Sequence, residues 1–124
     1  MQKLILITAA ISGLLANALG AFGAHALKSK LTPAMLAAYQ TGVQYQFYHS
    51  IALLLIGILL FHIQNTWFHL SGLAFMIGIV LFSGSLYALS ISGIKWLGMI
   101  TPIGGLSFIL GWLCLIIGII QFKH

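Results

Sequence analysis

GAFGAHALKSKLTPAMLAAYQTGVQYQFYHS, Gly20–Ser50, decides how the chain is read. It holds the end of one apolar helix, a short basic turn, a half-polar helix and the start of a second apolar helix. Lys28-Ser29-Lys30 closes the first helix. Thr32-Pro33 reads as an N-cap followed by proline at the first helical position, where its missing N–H costs nothing. From Ala34 to Phe47, Leu36, Tyr39, Val43 and Phe47 fall on one helical face, and Gln40 and Gln44 on another. This pattern predicts a short amphipathic helix over residues 33–44, lying at the headgroups. Gly42 is its expected bend, and a second span follows over residues 45–62.

Working outward, residues 4–27 are apolar or small apart from weakly polar positions, Asn17 and His25. That run crosses a ~30 Å hydrocarbon core at ~1.5 Å per residue. A cleavable signal peptide is the competing reading, with Lys3 as its basic region and Ala16-Asn17-Ala18 as a cleavage site. The apolar run is long for that, and small residues continue past the cut. Ser12, Ala16, Gly20 and Ala24 recur every fourth position, as do Ala9, Gly13 and Ala21 with Asn17 between them. Such ladders let helices approach closely in lipid. Beyond the turn Gln64-Asn65-Thr66-Trp67, a third span covers residues 68–90. After Gly93-Ile94-Lys95-Trp96, a fourth covers residues 97–121, with Gly104, Gly111 and Gly118 in one stripe seven apart. Trp67 and Trp96 sit where interfacial aromatics belong, and Phe122-Lys123-His124 closes the chain at the interface. The expected fold is all-α: one transmembrane domain over residues 1–124, built as a four-helix bundle with the short amphipathic helix before its second span.

Composition agrees. Of 124 residues, 61% are hydrophobic and 4% charged, with mean hydropathy +1.14. A water-facing surface is not built that way. There is no Asp or Glu, and the formal charge is +5. The lysines are scattered beside apolar spans, so Lys28, Lys30 and Lys95 read as lipid-headgroup anchors rather than a nucleic-acid patch. These three lie opposite Lys3 and Lys123, so the positive-inside rule places the loops between spans one and two and between spans three and four in the cytoplasm. Missing carboxylates exclude paired-carboxylate hydrolysis, a carboxylate-bridged metal pair within one chain and a carboxylate proton relay. Cys114 reads as a small core residue.

Four spans bring the ends of the first and third to the same side as the starts of the second and fourth. That half receives the candidate polar cluster: His25, Tyr45, Tyr48, His49, Ser50, Tyr87 and Thr101. Ionisable groups at membrane depth are costly and often functional. His25 and His49, on helices joined by a short connection, are expected to approach each other. They form either a haem, metal or proton site, or two neutral imidazoles that lock helices by hydrogen bonding. Two histidines without Cys or carboxylate are thin for a metal site, so no metal and no cofactor is expected. Tyr45 with His49, and Gln46 with Ser50, make a continuous polar face. It serves interhelical hydrogen bonding or a headgroup or quinone contact. His62 and His69 flank an exposed turn and are expected to be solvated. No nucleophile-base-acid set and no G-x-S-x-G, H-E-x-x-H, Walker or G-x-G-x-x-G signature occurs, so no enzyme is expected.

GAFGAHAL (Gly20–Leu27), YQFYHSIALL (Tyr45–Leu54), FSGSLYAL (Phe82–Leu89) and TPIGGLSFILGW (Thr101–Trp112) resemble the signature blocks of domain-of-unknown-function family 423. That family includes bacterial inner-membrane proteins and eukaryotic transmembrane protein 256. The resemblance covers essentially the whole chain. It implies a polytopic protein of the bacterial cytoplasmic (inner) membrane with its N-terminal segment retained, and no particular activity. Matching motif positions include His25, His49, Ser50, Gly84, Ser85, Tyr87, Thr101, Pro102, Gly104, Gly105 and Trp112. The leading functional expectation is association with membrane lipids, with a second copy as a homo-oligomer, or with a larger membrane complex. The alternative is a ligand-binding or carrier protein with its site near His25 and His49. Haem or metal binding is weaker.

Overall fold

The computed structural model describes residues 1–123; the expectation for His124 lies outside them. Four helices follow one another: α1 (Gln2–Leu27), α2 (Pro33–His62), α3 (Thr66–Ser92) and α4 (Lys95–Gln121). No strand occurs among the described residues. The shortest helix has 26 residues, ~39 Å of rise, which is enough to cross a ~30 Å core. All four are apolar enough to do so.

The turns form as their residues dictate. The Thr32 hydroxyl accepts from the Met35 amide at 3.2 Å, with Pro33 beginning the helix. Asn65 caps α3 by accepting from the Trp67 amide at 2.8 Å. Gly93 ends α3 in the left-handed region at φ +72°, where a side chain would be strained. α4 opens with a 3₁₀ turn at Lys95–Met99 before its α-helical part from Thr101. Two helices carry π-helical turns, Gly23–Leu27 in α1 and Ile79–Ser83 in α3. His62 is exposed, but His69 is only half-exposed, and its Nδ1 is shielded without a partner. The expected solvation of His69 fails because α3 already begins at Thr66 and winds this residue against the protein.

The expected amphipathic helix also needs correcting. Residues 33–44 are not a separate interfacial helix; they are the first turns of the 30-residue α2. The helix does not end at Gly42, where a methyl group would meet the Tyr87 ring at 2.9 Å and whose carbonyl accepts from Ser83 Oγ at 2.6 Å. Gly42 is therefore a close approach between α2 and α3. Tyr39, on the face read as apolar, is buried, and its hydroxyl donates to the Leu19 carbonyl of α1 at 2.6 Å. The apolar face packs inward through Tyr39, whereas Gln40 and Gln44 remain exposed.

Packing follows chain order. α1 lies against α2, α2 against α3, and α3 against α4, while α1 and α4 do not pack together. α2 is the most buried of the four. In the α3–α4 hairpin, Phe68, Phe75 and Phe82 meet Gly118, Gly111 and Gly104. Both sets recur every seventh residue, and the helices run antiparallel, so the three contacts repeat down the hairpin. The fit is reciprocal once, with the Phe108 ring over Gly78. Ser71 and Ser107 then donate across the same interface to the Gly111 and Ala74 carbonyls, both at 2.7 Å. At the far end, Asn65 Nδ2 donates to the Gly118 carbonyl at 3.2 Å.

Candidate functional site

Apart from Thr101, the expected polar cluster divides into four places. Ser50 and Tyr87 join a buried network across three helices. Tyr87 Oη donates to Gln46 Oε1 at 2.6 Å, and Gln46 Nε2 donates to the Ser12 carbonyl at 2.9 Å. Ser50 Oγ lies 2.7 Å from Ser12 Oγ and 2.6 Å from the Gln46 carbonyl. A carbonyl only accepts and a hydroxyl has one proton, so Ser50 donates to Gln46 and Ser12 donates to Ser50. The network is closed on itself and locks α1, α2 and α3. Thr101 pairs with Ser85 at 2.5 Å, tying the start of α4's α-helical part to α3.

His49 is the centre of the second place. It is 4% exposed. Its Nδ1 lies 2.8 Å from the Tyr45 carbonyl and therefore carries the proton. Nε2 is then the acceptor for Trp112 Nε1–H at 3.2 Å. The ring is a neutral imidazole with both nitrogens engaged. It stacks on Phe108 at 3.6 Å between centroids and meets the edge of Phe75 at 5.1 Å. Outside it, Tyr45, Phe82, Pro102, Gly105 and Trp112 help line a groove of ≈570 Å³ between α2 and α4. Tyr45 and Trp112 are both partly exposed along it.

Tyr48, whose ring meets that of Tyr45 at 5.9 Å between centroids, borders a third place on the adjoining face of α2. It is exposed, and with Asn17, Gly20, Ala21, Val43, Gln44 and Phe47 it lines a groove of ≈430 Å³ over the α1–α2 seam. A second hollow of ≈380 Å³ continues it past Gly23, Ala24 and Gln40. The floor is the small-residue ladder of α1.

His25, the fourth, stands alone. It is exposed on the π-helical end of α1 and shares no contact with His49, contrary to the expected approach. The reason is depth: His49 lies 16 residues into α2, ~24 Å along its axis, whereas His25 stays beside the turn. Among the described residues there is no group of three His, Cys, Asp or Glu side chains able to hold a metal. Lys28, Lys30 and Lys95 are exposed on or beside the two turns at this same end.

Gln46, Ser12 and Trp112 were absent from the candidate cluster. Gln46 had a signal, since it pairs with Ser50 one turn away. Ser12 looked like one more small residue in a ladder, and Trp112 carried no sign that its indole would face His49.

Residues 19–105 match a family described as protein of unknown function, DUF423. The UPF0382 inner membrane protein YgdD of Escherichia coli (strain K12) is 40% identical over 123 residues, covering 99% of this chain and 94% of that one. The UPF0382 membrane protein YwdK of Bacillus subtilis (strain 168) is 41% identical, covering 98% of this chain and 99% of its own. The UPF0382 membrane protein SAB0533 of Staphylococcus aureus (strain bovine RF122 / ET3-1) is 43% identical, covering 98% of each. The chain belongs to the DUF423 family. No solved structure matches it. With four apolar helices and relatives named as inner membrane proteins, it is an integral, polytopic protein of the bacterial inner membrane.

Proposed function

We propose that this DUF423 protein acts by association within the membrane, with no chemistry of its own, and that the α1–α2 face receives another transmembrane helix. The observation that carries this reading is Gln44. Its amide is exposed in the α1–α2 groove and has no hydrogen-bond partner among the described residues. Gln44 lies eleven residues beyond Pro33, ~16 Å along a helix ~45 Å long, hence ~9 Å inside a centred ~30 Å hydrocarbon core. Lipid tails cannot pair an amide, and leaving one unpaired there is costly. A protein partner removes that cost.

The test is photo-crosslinking in intact bacterial membranes from a probe at Ala21, with a probe at Ile119 on α4 as control. Protein adducts from Ala21, lost in a Gly13→Ile variant, and lipid adducts alone from Ile119 are the expected outcome. Lipid adducts alone from both positions would overturn the reading.

A second reading draws on the α2–α4 groove. Its partly exposed Tyr45 and Trp112 beside His49 suit a flat, lipid-soluble ring such as a quinone. Saturable quenching of Trp112 fluorescence by a lipophilic quinone, absent in Trp112→Phe, would favour it. Haem ligation has less support, since His49 would have to give up Trp112 to free Nε2. A Soret band in purified protein is the check.

A further inference from the structure

The α1–α2 face carries more detail than a general docking surface. Three polar side chains open onto one groove without full partners. Gln44 has none. Asn17 Nδ2 donates to the Gly13 carbonyl at 2.9 Å, which leaves its other N–H and its Oδ1 free. Tyr48 is 55% exposed, and its hydroxyl is unpaired among the described residues. Gly20 packs on Val43 across the seam, which sets the register of the antiparallel pair. Asn17 and Gln44 then differ in depth by about two residues, ~3 Å, within the reach of a glutamine side chain.

A second, independent observation lies on the adjoining surface of α1. A methyl group built on Gly13 would meet nothing within 4 Å. In a helix interior, glycine is ~1 kcal/mol less favourable than alanine, and nothing inside this chain requires it at position 13. Gly104, Gly111 and Gly118 differ, because each is filled by a phenylalanine or its backbone; Gly84 in α3 is equally open, but Gly13 is the one that lies a turn from an exposed amide, Asn17. Gly13, Asn17 and Ala21 form a small-xxx-small series that no neighbouring helix covers, with Asn17 and Ala21 exposed.

We infer that this face pairs with the same face of a second copy, in a parallel dimer about a two-fold axis along the membrane normal. This rests on the association reading above and names its partner. Self-complementarity argues for a second copy. α1 supplies the open small-residue ridge, and the groove beside it supplies a small-residue floor. Around the axis, Asn17 Oδ1 of each copy accepts from Gln44 Nε2 of the other. Asn17 N–H and Gln44 Oε1 remain to pair with each other or with the Tyr48 hydroxyl. The chain has no Asp or Glu, so neutral amide pairing is the hydrogen-bond complementarity it can offer itself at this depth. Parallel crossings of small-xxx-small helices have the geometry required.

The test uses the full chain in lipid vesicles, with Cys114→Ala as background. Förster transfer between labelled copies, diluted in lipid, reads the dimer dissociation constant, and copper-phenanthroline oxidation of Gly13→Cys reads proximity. The expected result is a saturable dimer that oxidises efficiently through Gly13→Cys. Gln44→Leu weakens it roughly tenfold, because the two-fold axis repeats each lost bond. Gly13→Ile abolishes it, and Ile119→Ala on α4 leaves it unchanged. Both test positions are open in one copy, so a folding defect does not mimic the result, and an unchanged thermal midpoint confirms this. Monomer at all dilutions would overturn the inference, as would a dimer indifferent to Gly13→Ile and Gln44→Leu. If the pure chain is monomeric while the Ala21 probe still crosslinks a protein of another mass in native membranes, self-pairing fails and association stands. If neither signal appears, both fail.

Discussion

Two adjacent glycines give the sharpest test of the packing. Gly104 and Gly105 both lie in the first turn of the α-helical part of α4. Alanine is favoured over glycine there by ~1 kcal/mol in either case. At Gly105 the added carbon would sit 3.7–3.8 Å from the Phe82 ring, an ordinary contact. Gly105→Ala is therefore expected to be neutral or up to ~1 kcal/mol more stable. At Gly104 the carbon falls on the Phe82 amide nitrogen, and within 2.7 Å of its Cα and 2.8 Å of the Leu81 carbonyl carbon. These are main-chain atoms and cannot rotate away. Ordinary contact requires α3 and α4 to part by about an ångström, which strains the Ser85–Thr101 pair one turn along. Overpacking costs ~1–3 kcal/mol in well-packed interiors, and an immovable backbone puts this case near ~3. The two variants should therefore differ by ~3 kcal/mol. Reversible unfolding in bicelles, followed by tryptophan fluorescence, measures the difference. Equal stability would refute the close approach of α4 to the π-helical turn of α3.

Gln46→Leu leaves the buried Tyr87 hydroxyl without its partner and removes the second bond to the Ser12 carbonyl, which keeps its intrahelical one, and should cost ~2 kcal/mol; adding Tyr87→Phe should recover part of that loss in a double-mutant cycle. Ser71→Ala removes one bond to the Gly111 carbonyl and should cost only ~0.6 kcal/mol, measured by the same unfolding assay. Trp112→Phe frees His49 Nε2 but leaves the proton on Nδ1, because the Tyr45 carbonyl still holds it; imidazole nitrogen shifts by NMR that showed the other tautomer would contradict this. Thr32→Ala removes the α2 cap and should cost ~1 kcal/mol, seen as faster amide exchange at Met35 with little change deeper in the helix.

The sequence was informative where a signal is local. Spans follow from long uncharged runs, and Thr32-Pro33, Asn65 and Gly93 mark their ends by backbone chemistry that needs no partner. Contacts between helices were only half visible. The stripe of Gly104, Gly111 and Gly118 announced a packing face, but its match in Phe68, Phe75 and Phe82 shows only once the helices are set antiparallel in one register. The half-polar pattern of residues 34–47 misled because a helical face with exposed glutamines reads the same in a separate helix at the headgroups as in the first turns of a long span. Gln46 went inward to Ser12 and Tyr87, while Gln44, two residues earlier, went outward. His25 and His49 misled for a different reason: a short connecting loop brings helix ends together, not residues 16 positions further along one of them.

Those two glutamines mark how the chain uses polarity without charge. Among the described residues its buried polar side chains are serine, glutamine, neutral histidine and the Tyr39 hydroxyl, tied to their own or other helices by bonds that close. Among the described residues, the one buried side-chain polar atom left without a partner is His69 Nδ1, near the membrane surface where α3 begins. A chain that satisfies its interior this completely has no internal reason to leave an asparagine, a glutamine and a tyrosine open together at hydrocarbon depth. Nor does it need a glycine at position 13, where there is nothing to avoid. In the α3–α4 hairpin every glycine of the stripe is filled and the outer faces are largely isoleucine and leucine; Gly84 of α3 is as open as Gly13, but it has no exposed amide one turn away. The α1–α2 hairpin departs from that pattern on one surface, and a helix laid on that surface would restore it.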